Sequence, residues 1–169
     1  MFVVSYLAAI ILAILYSNIV EWLAHKYVLH GIGKNKNNFW SFHWKDHHKK
    51  SKKNNFFDQD YLNDWTGPPL REKIGLFFLL FAHSPLAFIY PIFFITLIFC
   101  TVRYYYMHKY AHLNPTWAYD NLRCHYDHHM GKNQDANWGV TTGWVDKVAG
   151  TRVFNYNDRK PNEPFINLK

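Results

Sequence analysis

The chain alternates two long apolar stretches with two polar ones. Residues Phe2 to Tyr16 are almost unbroken apolar, and Ser17, Asn18, Ile19 and Val20 extend the run to about the 17–25 residues with which a helix spans a bilayer. No helix breaker follows before Gly31, so this helix is expected to carry its last turns out of the membrane. A signal peptide is the competing reading, but the run has no positive leading region and no convincing small-residue cleavage site. Gly31 to Lys73 is polar, with Gly67, Pro68 and Pro69 marking a turn. Ile74 to Tyr106 is apolar again, interrupted by His83, Ser84, Pro85 and Pro91. That stretch is too long for one ordinary span and predicts two short helices in a hairpin. A double crossing would return both polar segments to the same side, whereas a single crossing would separate them.

The predicted fold is therefore all-α, with about three membrane crossings and a cytoplasmic helical cap. The 169 residues suit a single domain, 1–169. Charge sets the orientation. Of nineteen Lys and Arg residues, none precedes Lys26 and ten lie between Lys26 and Lys73, the asymmetry of a loop retained in the cytoplasm. The same positioning accounts for the net charge of +7 without a nucleic-acid partner. The run Lys49-Lys50-Ser51-Lys52-Lys53 is read as solvated loop or headgroup contact. Cys100 and Cys124 stand in no paired spacing, which excludes a disulfide framework or zinc knuckle.

The chemistry lies in the histidines. Ten of eleven fall into four clusters: His25 and His30; His43, His47 and His48; His108 and His112; His125, His128 and His129. Imidazole is a ligand shared by iron, zinc and copper, and residues three or four apart on a helix share a face, so each cluster can aim at one point. His25 and His30, five apart, stand about 140° from each other on a regular α-helix. They are expected to serve different metals unless His30 swings inward at the helix end. The first five histidines recur as the second five at offsets of 81 to 83, and each half opens with His-Lys-Tyr. Two halves with five imidazoles each suit two metal ions better than one. A storage tract would be contiguous, and a structural zinc needs only four ligands. The lone His83 beside a proline-containing turn is read as a hydrogen-bonded packing residue and left out of the site.

These residues, in this order, resemble the fatty acid hydroxylase and sterol desaturase superfamily. Glu21-Trp22-Leu23-Ala24-His25 through His30 looks like that family's first histidine box, and Asn137-Trp138-Gly139 with Trp144, Asp146, Gly150 and Thr151 looks like its closing signature. The resemblance implies a membrane oxidoreductase with a dinuclear centre, iron in the usual description and zinc as the alternative. Such a centre uses dioxygen to hydroxylate or desaturate a C–H bond of a fatty acyl or sterol-like lipid. The size and first box also resemble bacterial carotenoid hydroxylases. With no nucleotide-binding or haem-attachment motif in view, electrons are expected from a separate donor such as a cytochrome b5 or ferredoxin.

Metal-bound histidines usually donate their second N–H to a carboxylate, amide or carbonyl. Asp46, Asp120, Asp127, Asp135, Asn137 and Asp146 all lie within or just after the boxes, and Asn137 and Asp146 are the two expected in that role. The aromatic-rich stretch Leu76 to Phe99 is expected to line an apolar slot for the lipid tail. Two other classes stay open at this stage: a membrane metallohydrolase, in which zinc activates water, and a non-enzymatic metal-binding membrane protein.

Overall fold

The structure is a computed structural model that describes residues 2–35, 37–155 and 160–161. Among these the chain forms helices and no strand. Helix α1 (Phe2–Leu23) passes without a break into a π-helical segment, Ala24–Ile32. A second π-helical segment, His43–His47, leads directly into α2 (His48–Lys53), and a 3-10 turn, Gln59–Leu62, follows. Helices α3 (Gly67–Ala82), α4 (Leu86–Ile89) and α5 (Pro91–Leu113) form the expected hairpin. The rest of the cap is α6 (Pro115–Asn121), α7 (Arg123–Met130) and α8 (Trp144–Val148). Pro91 and Pro115 each open a helix, where a missing N–H leaves no bond unmade.

α1 and α5 pack along each other and α3 returns along α5, so the ends of α1 and α5 that carry histidines lie together. Ser5–Ile32 is the one described helix long and apolar enough to cross a bilayer. The hairpin helices fall short of that measure for different reasons. α3 has 16 residues, about 24 Å of rise, and the apolar part of α5 gives way at Arg103 to a histidine-bearing end.

The π-helical segments were not legible in the sequence, and they change the geometry of the first two boxes. Gly33 N–H bonds to the carbonyl of Val28, and His48 N–H to that of His43, each five residues back. With that winding, residues five apart stack on one face as residues four apart do in an α-helix. His25 and His30, and likewise His43 and His48, are thereby brought side by side. Gly33 follows the first segment, where a side chain would have no room: an added Cβ would meet the Leu29 carbonyl oxygen at 1.9 Å.

Apolar packing flanks the histidines. Phe56, Ala111, Ala118, Leu122 and Tyr126 form one buried cluster, and Trp22, Trp138 and Val145 another. Phe56 takes a positive φ of 77°, and its ring stacks on His112 with centroids 4.3 Å apart.

Candidate metal centre

The ten clustered histidines are all buried, none more than 3% exposed, and they gather into two groups. His25, His30, His43, His48 and His128 bring ligand atoms within 4.8 Å of one another, and His47, His108, His112 and His129 do the same. His125 adjoins the second group, its Nε2 3.0 Å from that of His112. The boxes therefore do not each aim at one point. In the second box His43 and His48 turn to the first group and His47 to the second. In the fourth, His128 turns to the first group, and His125 and His129 to the second. Each half of the chain supplies four imidazoles to its own group and one to the other. The exchanged residues, His47 and His128, are counterparts in the repeat at an offset of 81. His25 and His30 share a group, contrary to the α-helical expectation, because the segment carrying them is π-helical.

The outward nitrogens show which way the inner ones face. His25 Nδ1 donates to the Trp138 carbonyl at 2.6 Å and His128 Nδ1 to the Ala136 carbonyl at 2.7 Å. His30 Nδ1 lies 3.4 Å from the Asp135 carboxylate. In the second group His47 Nδ1 donates to Asp58 at 2.8 Å, His108 Nδ1 to Glu72 at 2.6 Å, and His112 Nδ1 to the Phe56 carbonyl at 2.9 Å. Tyr61 OH donates to the other Glu72 oxygen at 2.7 Å and lies 3.1 Å from His108 Nδ1. A neutral imidazole that donates through Nδ1 has a bare lone pair on Nε2. Burial first, reinforced by neighbouring imidazoles, holds His43, His47, His48, His112, His125, His128 and His129 well below the ordinary imidazole pKa, so these rings are neutral.

The result is a convergence of lone pairs. In the first group Nε2 separations are 3.0 Å for His25–His43 and 3.1 Å for His30–His48, His30–His128 and His48–His128. In the second, Nε2 of His47, His108 and His129 are buried with no hydrogen-bond partner. Such an arrangement is costly for imidazoles alone and matches donors around a cation. Ligands at right angles on bonds of about 2.1 Å stand about 3.0 Å apart, against about 3.4 Å for a tetrahedral set. The donor set fits metal ions with more than four nitrogen ligands.

Asp58 and Glu72 escaped sequence reasoning because they lie outside the boxes, in the polar loop and at the start of α3, where no spacing ties them to a histidine. Asn137 and Asp146 were expected to bond ligating imidazoles directly, and they do not. Asp146 accepts from the backbone N–H of Trp138 (2.9 Å) and Gly139 (2.7 Å), from the Thr151 hydroxyl (2.6 Å) and from the Trp22 indole (3.2 Å). Asn137, at a φ of 62°, donates to the Val153 carbonyl and accepts from its N–H. Both fasten the loop whose carbonyls at Ala136 and Trp138 do the orienting. A residue in a closing signature need not touch the ligands it serves. Asp127 instead pairs with Arg123 and Arg152, and Asp120 with Lys160. His83 stays out of the site, as expected: its Nδ1 donates to the Leu79 carbonyl and its Nε2 accepts from Tyr16 OH at 2.8 Å.

The model of the fatty acid hydroxylase family matches residues 10–151, a span that takes in all ten clustered histidines and the loop fastened by Asp146. The chain belongs to the fatty acid hydroxylase family. No curated protein and no solved structure matched it. Membership of this family implies oxidoreductase activity, and the two buried histidine groups are of a kind that could hold the metal such an activity uses.

In this member of the fatty acid hydroxylase family a cavity of about 350 Å³ opens on His25, His43, His47 and His108 and so reaches both groups. It runs between α1, α3 and α5, with walls that include Val20, Leu76, Leu79, Leu80 and Leu97 and an end at Tyr16 and His83. Of residues 76–99, expected to line the slot, those from Leu76 to His83 contribute together with Leu97, with Phe78 the one phenylalanine or tyrosine of that stretch among the lining residues, and α1 supplies a wall that was not foreseen.

The exchange of His47 and His128 makes a distinctive prediction for metal content. The double variant His25→Ala/His128→Ala strikes one group and should retain about half the wild-type metal, whereas His108→Ala/His128→Ala strikes both and should retain almost none. Elemental analysis showing the reverse order would contradict the exchange. The carboxylates generate a second prediction: Asp58→Asn and Glu72→Gln should each weaken metal binding by about 10–100-fold at the second group alone. Titration of the metal-free protein should then show one weakened phase and one unchanged, and two equally weakened phases would count against the assignment.

Proposed function

We propose that this member of the fatty acid hydroxylase family is an integral membrane oxygenase that binds two metal ions, iron in preference to zinc, and uses dioxygen to hydroxylate or desaturate a C–H bond of a long-chain lipid. The observation that carries the reading is the meeting of two neutral imidazole groups at the end of an apolar slot bounded by long apolar helices. Ten histidines exceed what a closed four-ligand zinc site uses, and this favours iron. A pair of iron ions, when bound, supplies the dioxygen activation that attack on an unactivated C–H bond requires.

The protein's own residues do the rest. The imidazoles of His25, His30, His43, His48 and His128 would hold one ion and those of His47, His108, His112, His125 and His129 the other. Asp58, Glu72 and the carbonyls of Ala136, Trp138 and Phe56 fix ring orientation by accepting the Nδ1 protons. The slot walls orient an acyl chain and keep water from the oxidising centre.

Exposed side chains support the multi-pass arrangement. Phe77, Phe81, Phe88 and Phe99, on the outer faces of the α3–α5 hairpin, are 63%, 65%, 91% and 65% exposed, a surface suited to lipid and unsuited to water. We place the hairpin in the bilayer with α1, giving three crossings, and the histidine cap in the cytoplasm with the basic loop. A separate electron donor, a cytochrome b5 or ferredoxin, would complete the system. Helix α2 is its natural landing site: Lys49, Lys52 and Lys53 face outward, while His48 and Ser51 on the inner face reach the two groups. Charge complementarity would speed docking there.

Cysteines introduced near Lys52 and near Lys132 should both be labelled from the cytoplasmic side in intact cells, and labelling from opposite sides would separate the histidine boxes and sink the shared centre. Purified protein supplied with iron, a reductant and a donor should consume dioxygen and add oxygen to, or remove hydrogen from, a long-chain lipid. Turnover that is equal with and without dioxygen would point to a hydrolase instead.

A further inference from the structure

The slot runs from the histidine groups between α1, α3 and α5 and stops at Tyr16 and His83. Among the described residues, none before Tyr16 and none from 84 to 96 lines it. Tyr16 OH donates to His83 Nε2 at 2.8 Å, and His83 Nδ1 donates in turn to the Leu79 carbonyl at 2.7 Å. His83 caps the C-terminal end of α3, so this bond ties α1 to that end. The Tyr16 ring also packs on Phe93 of α5, with centroids 5.7 Å apart. One aromatic ring thus joins all three helices at one level. In a bilayer apolar contact between helices brings no hydrophobic gain, and a hydrogen bond free of competing water helps to hold them together. Three polar side chains near that end are bonded within the protein: Ser17 Oγ donates to the Ile14 carbonyl, Thr101 Oγ1 donates to that of Leu97, and Asn18 Oδ1 accepts from Thr142 and Trp144. An apolar chain reaching this point is limited by shape.

The depth of the slot follows from its helices. Tyr16 precedes His25 by nine residues, about 13.5 Å of helical rise. On α3, eleven residues, about 16.5 Å, separate Glu72, which is bonded to His108, from His83. A saturated chain with C–C bonds of about 1.52 Å advances about 1.25 Å per carbon, so this depth holds about eleven to thirteen carbons.

We propose that the bonded pair Tyr16 and His83 is a length stop, which limits the chain on the methyl side of the oxidised carbon to about eleven to thirteen carbons. The inference rests on the reading of the slot as the lipid site, with the reacting carbon at the histidine end, and adds the residues that set how long a tail it accepts. A longer tail must displace the ring or crowd the walls, an overpacking that slows its oxidation about 5–150-fold.

The test is made in cells that express the full chain and are fed straight-chain saturated acids of graded length, with cells lacking the protein as control. Total lipids are hydrolysed, and mass spectrometry counts the carbons between the new hydroxyl or double bond and the methyl end. In wild type that count should not pass the limit, whatever the total length. Tyr16→Ala should raise it, and Tyr16→Phe, which keeps the ring and loses the hydroxyl, should change it less. A second readout needs no turnover: an acid carrying a diazirine next to its methyl end should, on illumination, label the peptides that contain Tyr16 and His83. Longer tails oxidised by wild type at undiminished rate overturn the stop and leave the slot reading standing, as does a limit that Tyr16→Ala leaves unchanged. Labelling of the slot away from both residues also overturns the stop. Neither oxidised chains nor labelling of the slot overturns both readings. The wild-type count and the labelling decide the matter even if Tyr16→Ala fails to fold.

Discussion

Everything in the cap depends on one electrostatic constraint. Six of the ten buried imidazoles have Nδ1 held by a carbonyl or a carboxylate, which turns their Nε2 lone pairs toward common points. Lone pairs that meet there, as those of His30 and His128 do at 3.1 Å, repel unless a cation lies between them, and burial removes the water that would otherwise separate them. The outer acceptors are thus as necessary as the ligands. Without Asp58, Glu72 and the fastened loop, each ring could reverse its tautomer or rotate away. With metal held as proposed, the folding of the cap and the binding of metal would be one process. The π-helical winding fits this logic: it departs from ordinary helical geometry at the two places where five-residue spacing must present adjacent ligands.

The exchange of His47 and His128 has a structural consequence. Neither half of the repeat can close a group from its own boxes, so the halves cannot drift apart without opening both. The outer partners also differ. The first group leans on backbone carbonyls and on Asp135, which is 54% exposed at its side chain. The second leans on two carboxylates, of which Asp58 is fully buried. Carboxylate-backed imidazoles are stronger donors, so a chain whose halves correspond residue by residue in its histidines nonetheless offers two chemically unequal sites.

Much of this was legible in the sequence. The apolar runs and their prolines gave α1 and the hairpin, because helix length in a bilayer and the cost of an internal proline are nearly context-free. The ten histidines were legible because so many imidazoles in ordered clusters have few other uses. Three things were not. The π-helices were hidden because a period is assumed before it is measured, and the 140° separation of His25 and His30 followed from assuming an α-helix. Asp58 and Glu72 were hidden because their link to His47 and His108 exists only after folding. The true service of Asn137 and Asp146 was hidden because a side chain that holds a carbonyl in place leaves no spacing relation to the ligand that carbonyl orients.

The central claim is that the converging lone pairs belong to two separate ions with all-imidazole surroundings. The most direct measurement is metal-edge X-ray absorption on the purified wild-type chain, together with its metal-to-protein ratio. The account predicts two ions per chain, each with a first shell containing about five nitrogen scatterers at about 2.1 Å and the outer-ring pattern of imidazole. One ion per chain, or a shell dominated by oxygen or sulfur, would contradict it.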